Sequence, residues 1–205
     1  MKVKICGITN REDALNAISL GASALGFIFT PNSPRYVSPD VVREISLYVP
    51  PFVSMVGVFV NQEKEEIDEL VTQCKLDLVQ LHGDESHDFC LQMKRRVIKA
   101  LRVSSVEDLA VIPKYQGIAS AILLDTKVPG SYGGTGQTFD WGLALQAKEY
   151  DIPLILSGGI GPDNLSKAHS LVDPFAVDLS SGVESEPGVK DYDKMQALFS
   201  ELRGC

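Results

Sequence analysis

Short apolar runs rich in β-branched residues alternate with amphipathic stretches along this whole chain. Eight of these runs have the length and composition of β-strands. They are Val3–Cys6, Ala24–Phe29, Val53–Phe59, Leu78–Leu81, Val97–Leu101, Ala121–Leu124, Pro153–Leu156 and Phe175–Val177. Strands that alternate with helices form parallel sheets through right-handed crossovers. The alternation therefore predicts an α/β fold with eight parallel strands.

The intervening stretches carry the start and stop signals of helices. Thr9 and Glu12 have the spacing of a capping box, and Gly21 suits the left-handed position just after a helix. Further helix starts are predicted at Ser38-Pro39, at Ser104 with Glu107, and at Pro162, and a sixth helix is predicted near Phe139–Lys148.

Eight strand–helix units without a linker or a change in composition favour a closed barrel. An open flavodoxin-like sheet has only about five strands. A length of 205 residues is near the lower limit for an eightfold barrel, so the connections must be short. We therefore predict a single (β/α)8 TIM barrel over residues 1–205. Its active site is expected at the C-terminal ends of the strands.

The chain is acidic, with a formal net charge of −8. This charge argues against nucleic acids and anionic membranes as partners. No stretch reaches the roughly 18 apolar residues of a membrane span, and the N-terminus has no signal-peptide pattern, so we expect a cytoplasmic location. The cysteines Cys6, Cys74, Cys90 and Cys205 are widely separated, which predicts free thiols.

Cys6 ends the first predicted strand. Because side chains alternate along a strand, Lys4 and Cys6 point into the barrel if Val3 and Ile5 face the helices. A nearby cation favours the thiolate, so the pKa of Cys6 is predicted to be lowered. The alternative is a small buried hydrophobic residue, as most free cysteines are. The lysine favours the functional interpretation.

Asp125 ends the sixth predicted strand. An aspartate in this position is often a helix N-cap. Here the following segment, residues 127–136, is rich in glycine and proline, so no helix begins at once. Asp125 is therefore a candidate acid or base. The glycine-rich stretch Tyr132–Gly136 is a candidate lid.

Glycine and serine follow the last two strands. Gly158 and Gly159 come after the seventh, and Ser180 and Ser181 come close after the eighth. Barrels frequently bind phosphate between these two loops through backbone amides, which need no basic cluster. An acidic chain can therefore hold an anionic ligand at this place. The alternative is ordinary turn chemistry.

Two further loops hold candidate binding residues. Arg35 follows the second strand, and its planar guanidinium suits a carboxylate. Gln80 and His82 lie at the end of the fourth strand, where they would line the mouth of the barrel. His87 and His169 fall in helical stretches, which leaves too few histidines for a metal site, and none is predicted.

Eight segments taken together carry a resemblance to a known family. They are Lys4–Thr9 (KICGIT), Ser33–Tyr36 (SPRY), Val56–Asn61 (VGVFVN), Val79–Gly83 (VQLHG), Leu124–Thr126 (LDT), Gly133–Gly136 (GGTG), Leu156–Ile160 (LSGGI) and Asp178–Glu184 (DLSSGVE). In this order and spacing the chain resembles the phosphoribosylanthranilate isomerase family of tryptophan biosynthesis over essentially its whole length.

The resemblance implies an Amadori rearrangement that needs neither a metal nor an organic cofactor. It implies that Asp125 is the general acid and Cys6 the general base. It further implies that Arg35 pairs with the anthranilate carboxylate and that Asp178 orients the substrate. The phosphate would be held by Gly158, Gly159, Ser180 and Ser181.

The sequence leaves three alternative functions open for the predicted barrel. A histidine-pathway aminoaldose isomerase performs the same chemistry but resembles proteins with aspartates at the ends of the first and fifth strands; here these strands end in Cys6 and in Lys99-Ala100-Leu101. A ribulose-phosphate epimerase would need metal-binding histidines and aspartates. A non-catalytic barrel would keep the phosphate loops but need neither Cys6 nor Asp125. Either a monomer or a homodimer is compatible with the sequence.

Overall fold

The computed structural model describes residues 1–127 and 140–204, and its centre is a closed barrel of parallel strands. The strands are β1 (Lys2–Cys6), β2 (Ala24–Ile28), β3 (Ser54–Phe59), β4 (Leu78–Leu81), β5 (Arg96–Val103), β6 (Ala121–Thr126), β7 (Leu154–Leu156) and β8 (Ala176–Leu179). Each strand pairs with the next, and β8 closes the barrel against β1. The predicted (β/α)8 barrel is confirmed, with strand ends shifted by up to two residues.

Helices connect the strands and cover the outside of the barrel. They are α1 (Arg11–Leu20), α2 (Pro39–Ile45), α3 (Lys64–Gln73), α4 (His87–Leu91), α5 (Trp141–Ala147), α6 (Leu165–Val172) and α7 (Tyr192–Gly204), with a 3-10 helix at Val106–Tyr115 between β5 and β6. None of the helices in the described part of the chain is both long and apolar enough to cross a membrane. The candidate lid (132–136) and Cys205 lie outside the described residues.

A short excursion that the sequence did not predict follows β8. It consists of a 3-10 turn at Ser181–Val183 and a hairpin of β9 (Glu184–Glu186) and β10 (Val189–Lys190). The carbonyl oxygen of Gly188 in the hairpin turn accepts a hydrogen bond from the Thr9 hydroxyl. This contact holds the hairpin beside the loop after β1.

Three predicted helix starts are wrong by a few residues. Asn10, not Thr9, caps α1 by accepting the N–H of Asp13, and Thr9 is engaged with the hairpin instead. Ser105 with Asp108, one residue beyond the predicted pair, forms the next capping box. Asn, Ser, Thr and Asp are near-equal N-caps, so neighbouring polar residues compete and tertiary contacts decide. Helix α6 begins at Leu165, three residues after Pro162.

Two apolar clusters flank the strands. The larger lies between strands and helices and includes Val3 and Ile5. The smaller fills the inside of the barrel and consists of Val56, Ile98, Ala100, Ala121, Leu123, Ile155 and Ala176. Since Val3 and Ile5 face the helices, Lys4 and Cys6 point inward, as predicted. Above the inner cluster, towards the C-terminal ends of the strands, the inward positions become polar.

Candidate active site

The first part of the candidate site lies where β1, β2 and β8 meet. Lys4 and Asp178 are register partners on β1 and β8, and Nζ of Lys4 donates to Oδ1 of Asp178 at 2.8 Å. Cys6 is the last residue of β1 and pairs with Gly26 of β2. All three functional side chains are buried. Cys6 and Asp178 therefore belong to one polar cluster inside the barrel.

Burial raises the pKa of the Cys6 thiol, although Lys4 opposes the shift. The predicted lowering of this pKa is therefore wrong. Lys4 does lie close, but Asp178 shares its charge, and the carboxylate itself disfavours a second negative charge nearby. The pKa of Lys4 is raised, because its attraction to Asp178 and Cys6 outweighs the opposing effect of burial.

The second part of the site lies at the ends of β4 and β6. Leu123 belongs to the inner cluster, so Asp125, two residues further along β6, also points into the barrel. Oδ1 of Asp125 accepts the N–H of Thr126 at 2.8 Å, and Oδ2 lies 3.4 Å from Nε2 of His82. The amide nitrogen of Gln80 lies 2.9 Å from Nδ1 of His82. Gln80, His82 and Asp125 thus form a continuous polar chain.

The third part consists of the loops after β7 and β8. Gly158 and Gly159 both have positive φ angles, 82° and 64°, which glycine adopts without strain. Their N–H groups donate no hydrogen bond to another described residue. A Cβ atom on Gly158 would clash with the Thr126 hydroxyl and come within 3.0 Å of Asp125 Oδ1. The first loop therefore lies against the end of β6.

The two glycine–serine loops also touch one another. A Cβ atom on Gly182 would clash with the carbonyl oxygen of Ile160. Ser181 begins the 3-10 turn beside Gly182, and Oγ of Ser180 lies close to Gly7. The close approach places Gly158, Gly159, Ser180 and Ser181 in adjoining loops, as the barrel position predicted. Both loops lie between β6, which carries Asp125, and β1, which carries Cys6.

Arg35, in the loop after β2, lies over Gly7 of the loop after β1. The carboxylate of Glu184 holds it there. Nε and Nη2 of Arg35 donate to the two oxygens of Glu184 at 2.9 and 2.8 Å. Lys190 of the hairpin binds the same carboxylate at 2.6 Å, and all three side chains are buried. Burial opposes ionisation of Glu184, but its two cationic partners prevail and lower its pKa.

The sequence did not single out Glu184 or Lys190 as functional residues. Glu184 follows a recognisable glycine–serine motif, which was a signal for its importance. Lys190 lies in a hairpin whose turn is set by Gly188 with φ of 88°, and nothing in the local sequence marks it. Gly26 was also missed, although a glycine inside a strand often marks a close approach.

The loop after β4 is fixed by a second buried ion pair. Nζ of Lys99 donates to the carbonyl oxygens of Leu81 and Gly83 and to the Glu85 carboxylate, at 3.1, 2.7 and 3.0 Å. The other oxygen of Glu85 accepts the N–H groups of Asn61 and Gly83. These bonds fix the backbone on both sides of His82. Within the described residues, no three His, Cys, Asp or Glu side chains are grouped as a metal site.

Comparisons with known proteins agree on one family. The family model for N-(5'-phosphoribosyl)anthranilate (PRA) isomerase matches residues 3–201. The N-(5'-phosphoribosyl)anthranilate isomerase of Citrifermentans bemidjiense is 50% identical over 202 residues, which cover 98% of this chain and 97% of that protein.

Two solved structures are similar over the whole of both chains. One, monomers generated from the dimeric isomerase of Thermotoga maritima, is 43% identical with a TM-score of 0.89. The other is a phosphoribosyl anthranilate isomerase in complex with reduced 1-(o-carboxyphenylamino)-1-deoxyribulose 5-phosphate, and it is 44% identical with a TM-score of 0.90. The barrel, the matched sequence and the similar structures all indicate the same family. The chain belongs to the N-(5'-phosphoribosyl)anthranilate isomerase family.

Proposed function

We propose that residues 1–205 form one catalytic domain that performs the Amadori rearrangement of N-(5-phosphoribosyl)anthranilate in tryptophan biosynthesis. The product is 1-(2-carboxyphenylamino)-1-deoxyribulose 5-phosphate. The observation that carries the proposal is the order of groups around the barrel mouth. Asp125 on β6 and Cys6 on β1 flank the glycine and serine loops after β7 and β8. A sugar phosphate bound at these loops would have a carboxyl group on one side and a thiol on the other.

Asp125 is the proposed general acid. Its Oδ1 is occupied by the N–H of Thr126, so Oδ2 is the oxygen that carries the proton. Transfer of this proton to the furanose ring oxygen allows the C1–O bond to break. The nitrogen lone pair of the anthranilate then forms a C=N bond, and the open sugar becomes an iminium ion. Proton transfer of this kind typically contributes about 10²–10⁴-fold to a rate.

Cys6 is the proposed general base. The thiol first loses its proton to solvent. The resulting thiolate removes the proton from C2, and the electron pair of the C–H bond forms a C1=C2 double bond while the iminium nitrogen becomes neutral. The resulting enolamine gains a proton at C1 and loses one from the C2 hydroxyl, which gives the ketone. The positive charge of the iminium makes the C2 proton acidic enough for a thiolate.

The ends of the substrate are proposed to bind to two different groups. The amides of Gly158 and Gly159, with Ser180 and Ser181, would hold the phosphate. Arg35 would bind the anthranilate carboxylate. Glu184 occupies Nε and one N–H of Nη2. The opposite edge, formed by Nη1 and the second N–H of Nη2, binds none of the described residues and can form a second bidentate pair. Glu184 thereby orients the arginine.

Asp178 orients the sugar, as the resemblance implied, and its ion pair with Lys4 holds the carboxylate in place inside the barrel. The reaction requires neither a metal nor an organic cofactor, because the iminium of the substrate itself accepts the electron pair. A cytoplasmic location stays a prediction.

Between the predicted monomer and homodimer we propose the homodimer. The relative from Thermotoga maritima is described as dimeric. In this chain Phe52, between α2 and β3, is 98% exposed, and nearby Leu47 is 69% exposed. Burial of these two side chains against a second copy would remove apolar area from water, which favours association. Phe52 precedes β3 and so lies at the end of the barrel opposite the candidate site, where a second copy would not block it.

The function is tested by making phosphoribosylanthranilate in situ and recording its fluorescence after the protein is added. We expect a rapid decay of fluorescence and the appearance of the deoxyribulose phosphate product by mass spectrometry. A parallel reaction without the protein gives the spontaneous loss of this labile substrate. A decay rate equal to that of the blank would overturn the proposal.

A further inference from the structure

We infer that Gln80 holds the proton of His82 on Nε2, where it supports Asp125 during proton transfer. This inference deepens the proposed function and rests on it. Gln80 is completely buried, and its amide nitrogen lies 2.9 Å from Nδ1 of His82. Nε2, on the far side of the imidazole ring, lies 3.4 Å from Oδ2 of Asp125. Gln80 is a positioning residue, because it acts through His82.

The hydrogen-bonding capacity of each group favours one tautomer of His82. An amide nitrogen only donates, so Nδ1 of His82 must accept, and the ring proton must then be on Nε2. An imidazolium would place two donors against each other at Nδ1. If the amide of Gln80 were turned around, its oxygen would accept from Nδ1, and Nε2 would have no proton to donate to the carboxylate that Asp125 becomes after it gives up its proton. The donor orientation of Gln80 is therefore the one that leaves Nε2 able to stabilise the Asp125 carboxylate.

Nε2 of His82 is buried and has no hydrogen-bond partner within the described residues. Oδ2 of Asp125, at 3.4 Å from Nε2, stands just beyond good hydrogen-bond distance. Hydrogen bonds between catalytic groups are often long before the substrate binds and shorten in the complex. Nε2–H can therefore donate a hydrogen bond to the carboxylate of Asp125 when the substrate is bound.

The backbone around His82 is held firmly enough to keep this geometry. The N–H of His82 donates to the carbonyl oxygen of Phe59 at 2.8 Å. Lys99 binds the carbonyl oxygens of the residues on either side, Leu81 and Gly83, and is itself paired with Glu85. The imidazole therefore keeps its orientation, which a hydrogen bond of defined direction requires.

The consequence for the reaction follows from where charge develops. When Asp125 gives up its proton, negative charge appears on Oδ2, while Oδ1 already accepts the N–H of Thr126. A hydrogen bond from Nε2 of His82 would stabilise the new carboxylate and so favour the transfer. Donors that face developing charge in a buried site are more effective than donors in water.

The tautomer is measured by NMR on protein labelled with ¹⁵N-histidine at about pH 7.5. We expect His82 to show a protonated Nε2 and an unprotonated Nδ1. His87 and His169 are more exposed and serve as internal references, assigned with His87→Gln and His169→Gln. In Gln80→Glu the introduced carboxylate accepts from Nδ1, so Nδ1 should become protonated. A protonated Nδ1 in the unaltered protein would overturn the inference without any variant.

Kinetics test the catalytic consequence. Gln80→Leu removes the donor with little change in volume, and we expect kcat to fall roughly tenfold with KM nearly unchanged. Gln92→Leu, at an exposed position after α4, should leave both constants unchanged. If Gln80→Leu folds, shifts the tautomer and keeps its kcat, the inference fails. If the unaltered protein has no isomerase activity, the proposed function and the catalytic role of Gln80 fail together, whereas the tautomer is still decided by NMR.

Discussion

A Cβ atom on Gly26 would lie 2.7 Å from Sγ of Cys6. The same atom would stand 3.0 Å from Nζ of Lys4. Real side chains essentially never approach so closely, so the thiol and the amine occupy the space that glycine leaves free. The position of the proposed base thus depends on the absence of a single methyl group on the neighbouring strand.

Gly26→Ala should therefore displace the thiol. A misplacement of about 1 Å can cost about 100-fold in rate, and we expect a loss of kcat of that order. The matched control is Gly57→Ala, at a strand glycine where a Cβ would crowd Phe59 and Leu76 instead. Thermal unfolding and turnover are measured for both variants. The control should lose stability but keep its kcat; equal kcat values in the two variants would contradict the explanation.

Cys6→Ser and Asp125→Asn should each remove most turnover. Each change takes away one of the two groups that move protons, and we expect losses of roughly 10²–10⁴-fold. Binding of the reduced product analogue, measured by calorimetry, should change little. Cys74→Ser is the control, because Cys74 is equally buried but lies at the end of α3. A variant with near-normal turnover would exclude its residue from the mechanism.

The raised pKa of Cys6 predicts a neutral thiol in the free protein. A group whose pKa is raised holds its proton at higher pH, so the thiolate should form only above about 8.5, the ordinary value for cysteine. The thiolate is detected by ultraviolet absorbance, as the difference between the unaltered protein and Cys6→Ser during a pH titration. The difference cancels Cys74 and Cys90, whose pKa values are raised to about 11. A thiolate signal already present at neutral pH would contradict this prediction.

Arg35→Ala should weaken the binding of one end of the substrate specifically. A hydrogen-bonded charge pair contributes about 1.5–3 kcal/mol, so affinity for the product analogue should fall roughly 10- to 100-fold. An analogue without the aryl carboxylate should bind almost as well to the variant as to the unaltered protein. Calorimetry with both analogues makes the comparison. An equal loss for the two would count against the pairing.

Phe52→Ser should dissociate the proposed dimer. The change removes most of the apolar area that the exposed ring offers, and sedimentation velocity at several concentrations measures the result. Arg43→Ser on α2, also exposed, is the control for a nearby change without loss of apolar surface. If the unaltered protein already sediments as a monomer at the highest concentration, the homodimer is ruled out and the predicted alternative holds.

The sequence predicted the barrel architecture because strands and helices depend on the local periodicity of apolar residues. Runs of β-branched residues and their alternation along each strand predicted all eight strands and the inward direction of Lys4 and Cys6. The strand count alone predicted that the glycine and serine loops lie beside each other. These features follow from backbone geometry, which acts over a few residues.

The electrostatics of the site were decided only by the closed barrel. Lys4 meets Asp178 across 174 residues of sequence, and Arg35 meets Glu184 across 149. Burial raises the pKa of the Cys6 thiol. Lys4, which was expected to lower this pKa, is paired with Asp178 and opposes the shift only in part. Closure of the barrel determines which distant side chains face each other and how far water is excluded. Both effects set a pKa, and neither leaves a local pattern in the sequence.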